Sequence, residues 1–548
     1  MISKIKIGLK LDDFQIEFWL YSLIERLLRE EYIILEFIHI EGKKIENSKS
    51  ENTLLDNYLK WDQSFYQNNK NAFELKNLKE LTNPLKIPVI QNFIKTVSKS
   101  INILLDFTRQ GINKKDLNIS INGTWLLHFG SYNLEKKDLE FFWEVYYKNT
   151  TSDSMLISYS AKNPNGKIIY KSKSNTKTLS FYENRNNTYF KTSTFILRRL
   201  KQIHLLNYDV LDNIEIVSQG VNEEIPKIAL PNNKQMIVFH LKLFFRELKQ
   251  LFRNQFYYQE WEILIKNEKS INKILARKGR WYADPFPISK DNIMYLFFED
   301  YIKNEHKGCI SYVELKNNTA SKPIEILKEK FHLSYPHIFK YENKYYMIPE
   351  TMGDNSIRLY ESAEFPKKWK FKKKLIDKVQ AVDTTVFVHD NKVWLFTNIA
   401  KDGASDWEEL YLFYSENLFG KWVSHPLNPI ISDVTRSRPA GNIFINEEGK
   451  IIRPSQDCSK CYGYAINLNQ ISKITTTEYE EKVLEKILPN SFGNYFGTHT
   501  INIDKDFYFY DVKKWKRKNN YNIIKFLKNI IGIYHHKPIR MFLASKFK

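Results

Sequence analysis

The sequence predicts an α/β domain followed by an all-β five-bladed β-propeller, and three observations carry that reading. The chain opens strand, helix, strand. The stretch from Trp281 to Glu350 repeats one grammar: an aromatic and β-branched strand, a polar turn, a second such strand, and an acidic residue at a strand end. That grammar returns at 382–398, at 438–457 and more loosely at 498–512. A spacing of roughly 45–60 residues is what radial repetition of small antiparallel sheets looks like in sequence.

Lys4–Leu11 alternates and reads as the first strand. Asp12-Asp13 reads as the cap of a helix over Phe14–Arg29, with Ile16, Leu20, Leu23, Ile24 and Leu27 on one face, and Tyr32–Ile40 as the second strand. This opening points to an open α/β sheet. No G-x-G-x-x-G follows the first strand, which removes support for dinucleotide binding. Residues 43–90 read as loop and short helices, and Ile101–Phe107 as a further strand. Asn184–Asn187 reads as a solvated loop, with a residual anion-binding turn as the alternative, entering a helix over Thr194–Leu205. Asn232–Phe256 is a basic helix with Phe239, Leu243, Phe244, Leu248 and Leu251 as its apolar stripe, expected to pack between domains. The expected division is therefore 1–204 for the α/β domain, 205–260 for a helical linker, 261–516 for the propeller and 517–548 for a basic amphipathic helix. In that last helix Ile523, Ile524, Phe526, Leu527, Ile530 and Ile531 alternate with Lys525 and Lys528. Such a segment docks on the body or makes peripheral membrane contact.

Lys and Arg number 83 against 63 Asp and Glu, a formal charge of +20, so an anionic partner such as headgroups, phosphorylated lipids or sugar nucleotides is open. No basic stripe with interleaved glycines occurs, and nucleic acid is not expected. The cysteines are Cys309, Cys458 and Cys461. The last two form a C-x-x-C, but no second pair completes the about four ligands of a zinc site. Neither metal nor cofactor is expected, and plain reduced thiols point to a cytoplasmic location. Met1–Asp13 turns acidic before an apolar core region forms, so no signal peptide is expected. No run approaches the roughly 18 apolar residues of a membrane span.

Propeller sites gather at one end of the axis, where inner strands of successive blades meet. Asp284, Glu350 and Asp383 are therefore the catalytic candidates, with Glu299, His337, Arg438, Arg453, Gln456 and His499 as substrate-binding companions. Carboxylates brought together divide acid and base roles through mutual repulsion and burial. Strand-end acids also tie neighbouring blades by accepting backbone N–H groups, which is the structural alternative for the same residues.

Residues Gly123–Gly130, GTWLLHFG, resemble the catalytic loop of the formyltransferase fold, with His128 at its histidine. Leu126 and Pro164 stand at the places of its asparagine and aspartate, so the resemblance implies a degenerate formyltransferase-like domain over 1–204. The run A-D-P-F, Y-P-H-I-F, K-Y-Y-M-I-P-E and V-D-T-T-V-F resembles the five-bladed furanosidase-type glycoside hydrolases. That implies Asp284 as general base and Asp383 as orienting residue, while the place of the general acid reads Ser437–Gly441. The set W-Y-A-D-P-F, F-F-E, S-Y-P, P-E, S-R-P-A-G, R-P-S-Q-D-C and Y-G is similar to the propeller at the N-terminal side of plant glucosamine inositolphosphorylceramide transferases. Bacterial relatives of that family fuse it to a formyltransferase-like module. The resemblance implies a carbohydrate-active protein of surface polysaccharide or glycolipid biosynthesis. It would act on or bind a sugar-phosphate, nucleotide-sugar or lipid-linked glycan, with Arg438 and Arg453 holding anionic groups. A non-catalytic glycan-binding scaffold and an amino-sugar N-formyltransferase working through His128 are the alternatives.

Overall fold

The structure, a computed structural model, describes residues 4–42, 53–65, 71–90, 101–109, 112, 114–134, 139–212, 227–316 and 319–518. They fall into two compact units, one up to Gln255 and one from Phe256.

The first unit is a seven-stranded mixed sheet with helices. Ile5–Leu11 lies between Ile33–Ile40 and Ile103–Asp106, and all three run parallel with Val89–Ile90 and Thr124–Phe129. Thr151–Tyr159 and Lys167–Asn175 complete one edge in antiparallel pairing. The central strand buries Ile5, Ile7, Leu9 and Leu11 on one face and Gly8 and Lys10 on the other, so it is covered on both. The first helix differs from expectation: it spans Phe18–Arg29, and Glu17 gives it no side-chain cap. Asp13 instead accepts the N–H groups of Phe14 and Gln15, and Gln15–Glu17 is a short strand paired with Leu75–Asn77. A larger departure is the helix Phe181–Leu206, which begins well before the expected Thr194. Ser180 caps it by accepting the N–H of Glu183. Asn184 and Asn186 are buried, not solvated: Asn184 donates to Ser152 Oγ at 2.9 Å and Asn186 accepts from Ala72 N at 2.6 Å. Polar residues on a buried face misled the periodicity because their partners lie far away in sequence.

The helix Asn233–Phe256 buries Met236, Phe239 and Leu243 against Tyr58, Phe142, Trp143 and Tyr146. It thus packs within the first unit. Among the described residues no helix is long and apolar enough to cross a membrane. The expected helix beyond Lys518 lies outside the described residues.

The second unit is the five-bladed propeller. Blade 1 holds Arg280–Lys290, Ile293–Ile302 and Lys307–Lys316; blade 2 runs from Ser334 to Asp377, blade 3 from Ala381 to Ser432, and blade 4 from Phe444 to Ile487. Blade 5 is composite. Ile501–Asp504 and Phe507–Arg517 supply its inner strands, while Tyr257–Lys266 and Ile271–Ile274 supply its outer ones. The hairpin turns are built as the sequence asks, with Asp291-Asn292, Glu342-Asn343 and Asp390-Asn391 all at positive φ, the backbone that matches strand twist in two-residue loops.

Each blade is bonded to the next. Tyr335 N donates to Asp284, Val386 N to His337, Gln456 Nε2 to Asp383, Ile501 N to the carbonyl of Ala440, and Asp284 N to Asp511. The ring closes on side chains and backbone alike.

Candidate functional site

Blades 1, 2 and 3 share one local device. On the inner strand the register slips between Ala283 and Phe286, between Ser334 and His337, and between Val382 and Thr385. Each slip carries a non-glycine residue in left-handed backbone: Asp284 at φ 51°, Tyr335 at 45° and Asp383 at 49°. A bulge re-aims a side chain, and such backbone persists only where surrounding bonds hold it. The residue before each bulge pairs with the second strand at Glu299, Glu350 and Asn398 respectively. Two tiers of polar side chains result, one on the inner strands and one on the second strands.

Arg438, nearly fully buried, joins acids from different blades. Its Nε donates to Asp383 Oδ2 at 2.6 Å and its Nη1 to Asp406 Oδ2 at 2.8 Å, while Nη2 lies 3.5 Å from Glu350 Oε2. The guanidinium sits 4.8 Å from the ring centre of Tyr462. Gln456 Nε2 donates to the same Asp383 oxygen at 2.9 Å. Burial, then the charges of Asp383, Asp284 and Asp406, push Glu350 up to about 8 against the pull of Arg438. Its side chain is 11 % exposed, between Asp383 at 3 % and Asp406 at 31 %.

Asp284 occupies a different setting. Its oxygens accept from Tyr335 N at 3.0 Å and Thr500 Oγ1 at 2.7 Å, and its own N–H donates to Asp511. Burial, with Asp511 and Asp383 adding repulsion that His499 opposes, raises it to about 6. His499 stands 2.6 Å from Asp511 and 3.5 Å from Asp284. Burial works against its charge, yet the two carboxylates leave its pKa raised. Asp284, His499 and Asp511 bring one donor atom each within 4.8 Å of one another, which is a cation-sized arrangement where no metal was expected. Their ligand atoms already face each other and backbone N–H groups, so the arrangement holds itself.

Glu299 is buried, with no hydrogen-bond partner for Oε1 among the described residues. Burial, then Asp284, Glu350, Asp511 and Asp383, raise its pKa well above the usual carboxylate range. His332 Nε2 faces it at 3.5 Å. Aromatic side chains stand around the centre: Tyr462 near Trp407 at 5.8 Å, Trp281 stacked on Tyr301 at 4.3 Å, and Trp261 stacked on His499 at 3.9 Å.

The structure therefore brings together Asp284, Glu299, Glu350, Asp383, Arg438, Gln456 and His499. Two expected companions stand apart. Arg453 is locked in a buried bidentate pair with Glu481, at 2.7 Å for both bonds, and also donates to the carbonyl of Arg436. It lies three residues from Gln456 on one strand, and an odd separation puts the two on opposite faces. His337 is a tie between blades: Nδ1 meets Asn442 Oδ1 at 2.9 Å, Nε2 accepts from Val386 N, and burial lowers its pKa to about 4. Carboxylates of the chain occupy Nε and Nη2 of Arg453 and Nε and Nη1 of Arg438, while Arg438 Nη2 lies 3.5 Å from both Glu350 Oε2 and the Tyr462 hydroxyl. His128 lies on the strand Thr124–Phe129 of the first unit, opposite Met155.

Sequence reasoning missed Tyr335, Asp406, Tyr462, His332, Asn398 and Asp511. Tyr335 was within reach, because Ser334-Tyr335-Pro336 repeats Ala283-Asp284-Pro285. Asp511 closes the strand F-Y-F-Y-D as Glu299 closes F-F-E. Asp406, Tyr462 and His332 come from loops that carry no repeat.

Comparison with known proteins bears on the second unit. Residues 272–495 match the family model described as glucosamine inositolphosphorylceramide transferase 1, N-terminal. Glucosamine inositolphosphorylceramide transferase 1 of Oryza sativa subsp. japonica is 38% identical over 208 residues, covering 37% of this chain and 28% of the rice protein. The Arabidopsis thaliana protein of that name is 32% identical over 208 residues, covering 37% of this chain and 27% of its own length. The chain thus matches under a third of the length of these relatives. Among solved structures, a family 117 glycoside hydrolase of Zobellia galactanivorans superposes with a TM-score of 0.32 at 12% identity, over 48% of this chain and 91% of the hydrolase. Over residues 272–495 the propeller is thus similar to the N-terminal family model of glucosamine inositolphosphorylceramide transferase 1.

Proposed function

We propose that the propeller binds a sugar unit at the centre around Arg438, and that the protein serves surface-polysaccharide or glycolipid biosynthesis on a lipid-linked or otherwise activated glycan. The observation that carries the proposal is the meeting of Glu350, Asp383 and Asp406 on one buried guanidinium beside the half-buried rings of Trp407 and Tyr462. Carboxylates supply directional acceptors for hydroxyl groups, and aromatic faces cover the apolar face of a sugar ring. The names of the plant relatives support a glycolipid context.

In the catalytic form of this proposal Glu350 is the proton donor. Its carboxyl is held protonated by burial and by neighbouring acids, and it is less deeply buried than its neighbour Asp383. Asp383, fixed by Arg438 and Gln456, is the oriented partner.

A second reading, a glycan-binding scaffold without turnover, is favoured by Asp284. Its carboxylate is spent on Tyr335 N and Thr500 Oγ1, as in a structural tie. Glycan-array binding by the full chain, followed by assay of the bound glycans for turnover, separates the two. Asp383→Asn and Glu350→Gln variants that fold normally and bind every glycan as before would contradict both.

The parallel strand order of the first unit and the position of His128 on Thr124–Phe129 support keeping a formyltransferase-like origin for that unit within the proposal.

A further inference from the structure

The charge balance around Arg438 limits what enters. Arg438 meets three carboxylates, and His499 meets Asp511 and Asp284. Lys513, whose pKa burial lowers, donates to the carbonyl of Tyr462 and lies 4.8 Å from the ring centre of Trp261. Six acids, Asp284, Glu299, Glu350, Asp383, Asp406 and Asp511, stand against these three cations, so a further anion would enter among like charges.

Two acceptors, in contrast, are left over in the second tier. Glu299 Oε1 and Asn398 Oδ1 are buried, and neither has a hydrogen-bond partner among the described residues. Asn398 spends its amide on the carbonyl of Asp406 at 3.1 Å, which fixes which end of the side chain is the acceptor. Beside Glu299, the backbone N–H of Gly308 donates to His332 Nδ1 at 2.9 Å. The neutral ring therefore carries its proton on Nε2, which faces Glu299 Oε1 from 3.5 Å, beyond an ordinary hydrogen bond. A buried acceptor costs free energy until a donor reaches it. Glu299 and Glu350 occupy the same register position in adjacent blades, each opposite the residue before the bulge. The unsatisfied oxygen thus belongs to the same tier as Glu350.

We infer that the sugar unit received at this centre is one without carboxylate or phosphate, that it presents hydroxyl or amine donors inward, and that Glu299 is the residue that reads this. The inference rests on the sugar-binding proposal and adds the class of ligand. In a lipid-linked or nucleotide-activated glycan, the phosphate then lies outside the acidic centre, towards solvent.

The test is an NMR titration of the full chain with methyl glucoside and methyl galactoside, each against its matching uronide and sugar phosphate. The neutral member of a pair is expected to bind about tenfold tighter or more than its acidic partner. Glu299→Gln is expected to weaken the neutral sugar and to narrow that gap, because it replaces a carboxyl with an amide that brings a donor of its own. Acidic sugars binding as tightly as neutral ones would overturn the inference while leaving sugar binding intact, and so would a folded Glu299→Gln variant with an unchanged neutral-to-acidic ratio. Absence of binding by every member would overturn the sugar-binding proposal itself, and this inference with it. If Glu299→Gln does not fold, the wild-type ratio still decides.

Discussion

The hydroxyl of Tyr335 accepts the backbone N–H of Gly441 at 2.8 Å, joining two blades that are not neighbours in the ring. The same oxygen lies 2.8 Å from Thr385 Oγ1 of blade 3. One residue at the bulge position of blade 2 thus ties three blades, where blades 1 and 3 use that position for an aspartate.

Tyr335→Phe is expected to leave the buried Gly441 N–H without its partner and to lower stability by about 1–3 kcal/mol. Urea denaturation of the variant and the parent checks this. The slope against urea should not change, since the surface exposed on unfolding is the same.

Arg453→Met leaves Glu481 as a buried carboxylate without its bidentate partner, and an expected loss of about 3–5 kcal/mol follows. Because Arg453 faces away from the acidic centre, glycan affinity of the folded fraction should be unchanged. Calorimetric unfolding paired with a binding titration separates the two effects.

Glu350 sets a pH dependence of definite sign. Its ordinary value is 4.5 and burial with its acidic neighbours takes it to about 8 in the folded protein. Between those values the unfolded chain has released the proton while the folded one retains it. Stability therefore falls as pH rises through that window and levels off above it. Glu350→Gln should lessen the fall between about pH 6 and 8, with a remainder persisting because Asp284, raised to about 6, and Glu299, raised well above the carboxylate range, still hold protons in the folded protein. Denaturation midpoints across pH 5 to 8.5, on the order of the window set by linkage, give the comparison.

Trp407→Ala removes a half-buried ring near Tyr462 and is expected to weaken glycan binding by about 1 kcal/mol, roughly fivefold, with little change in stability. Titration by intrinsic fluorescence measures the affinity.

Much of this was legible in the sequence because propeller blades repeat a local rule. Strand, turn and strand recur with the turn residues their backbone requires, and Asp284, Glu299, Glu350 and Asp383 stand at recurring places in that rule. Arg453 was misplaced although strand alternation already separates it from Gln456. His337 follows the bulge in the place where blade 1 has Phe286, a packing position, and its polarity drew attention that its register did not support. Asp406, Tyr462 and His332 were beyond reach, since loops from different blades bring them in and no period marks them. In the first unit the long helix was shortened by reading buried asparagines as solvent-facing, which only their distant partners correct.

The most direct test is a crystal structure of the full chain soaked with a glycan that binds it. A sugar ring seated between Glu350, Arg438 and Tyr462, within hydrogen-bond reach of the acids, is the result expected. A glycan bound elsewhere on the chain, with the acids around Arg438 unchanged and untouched, would contradict the account.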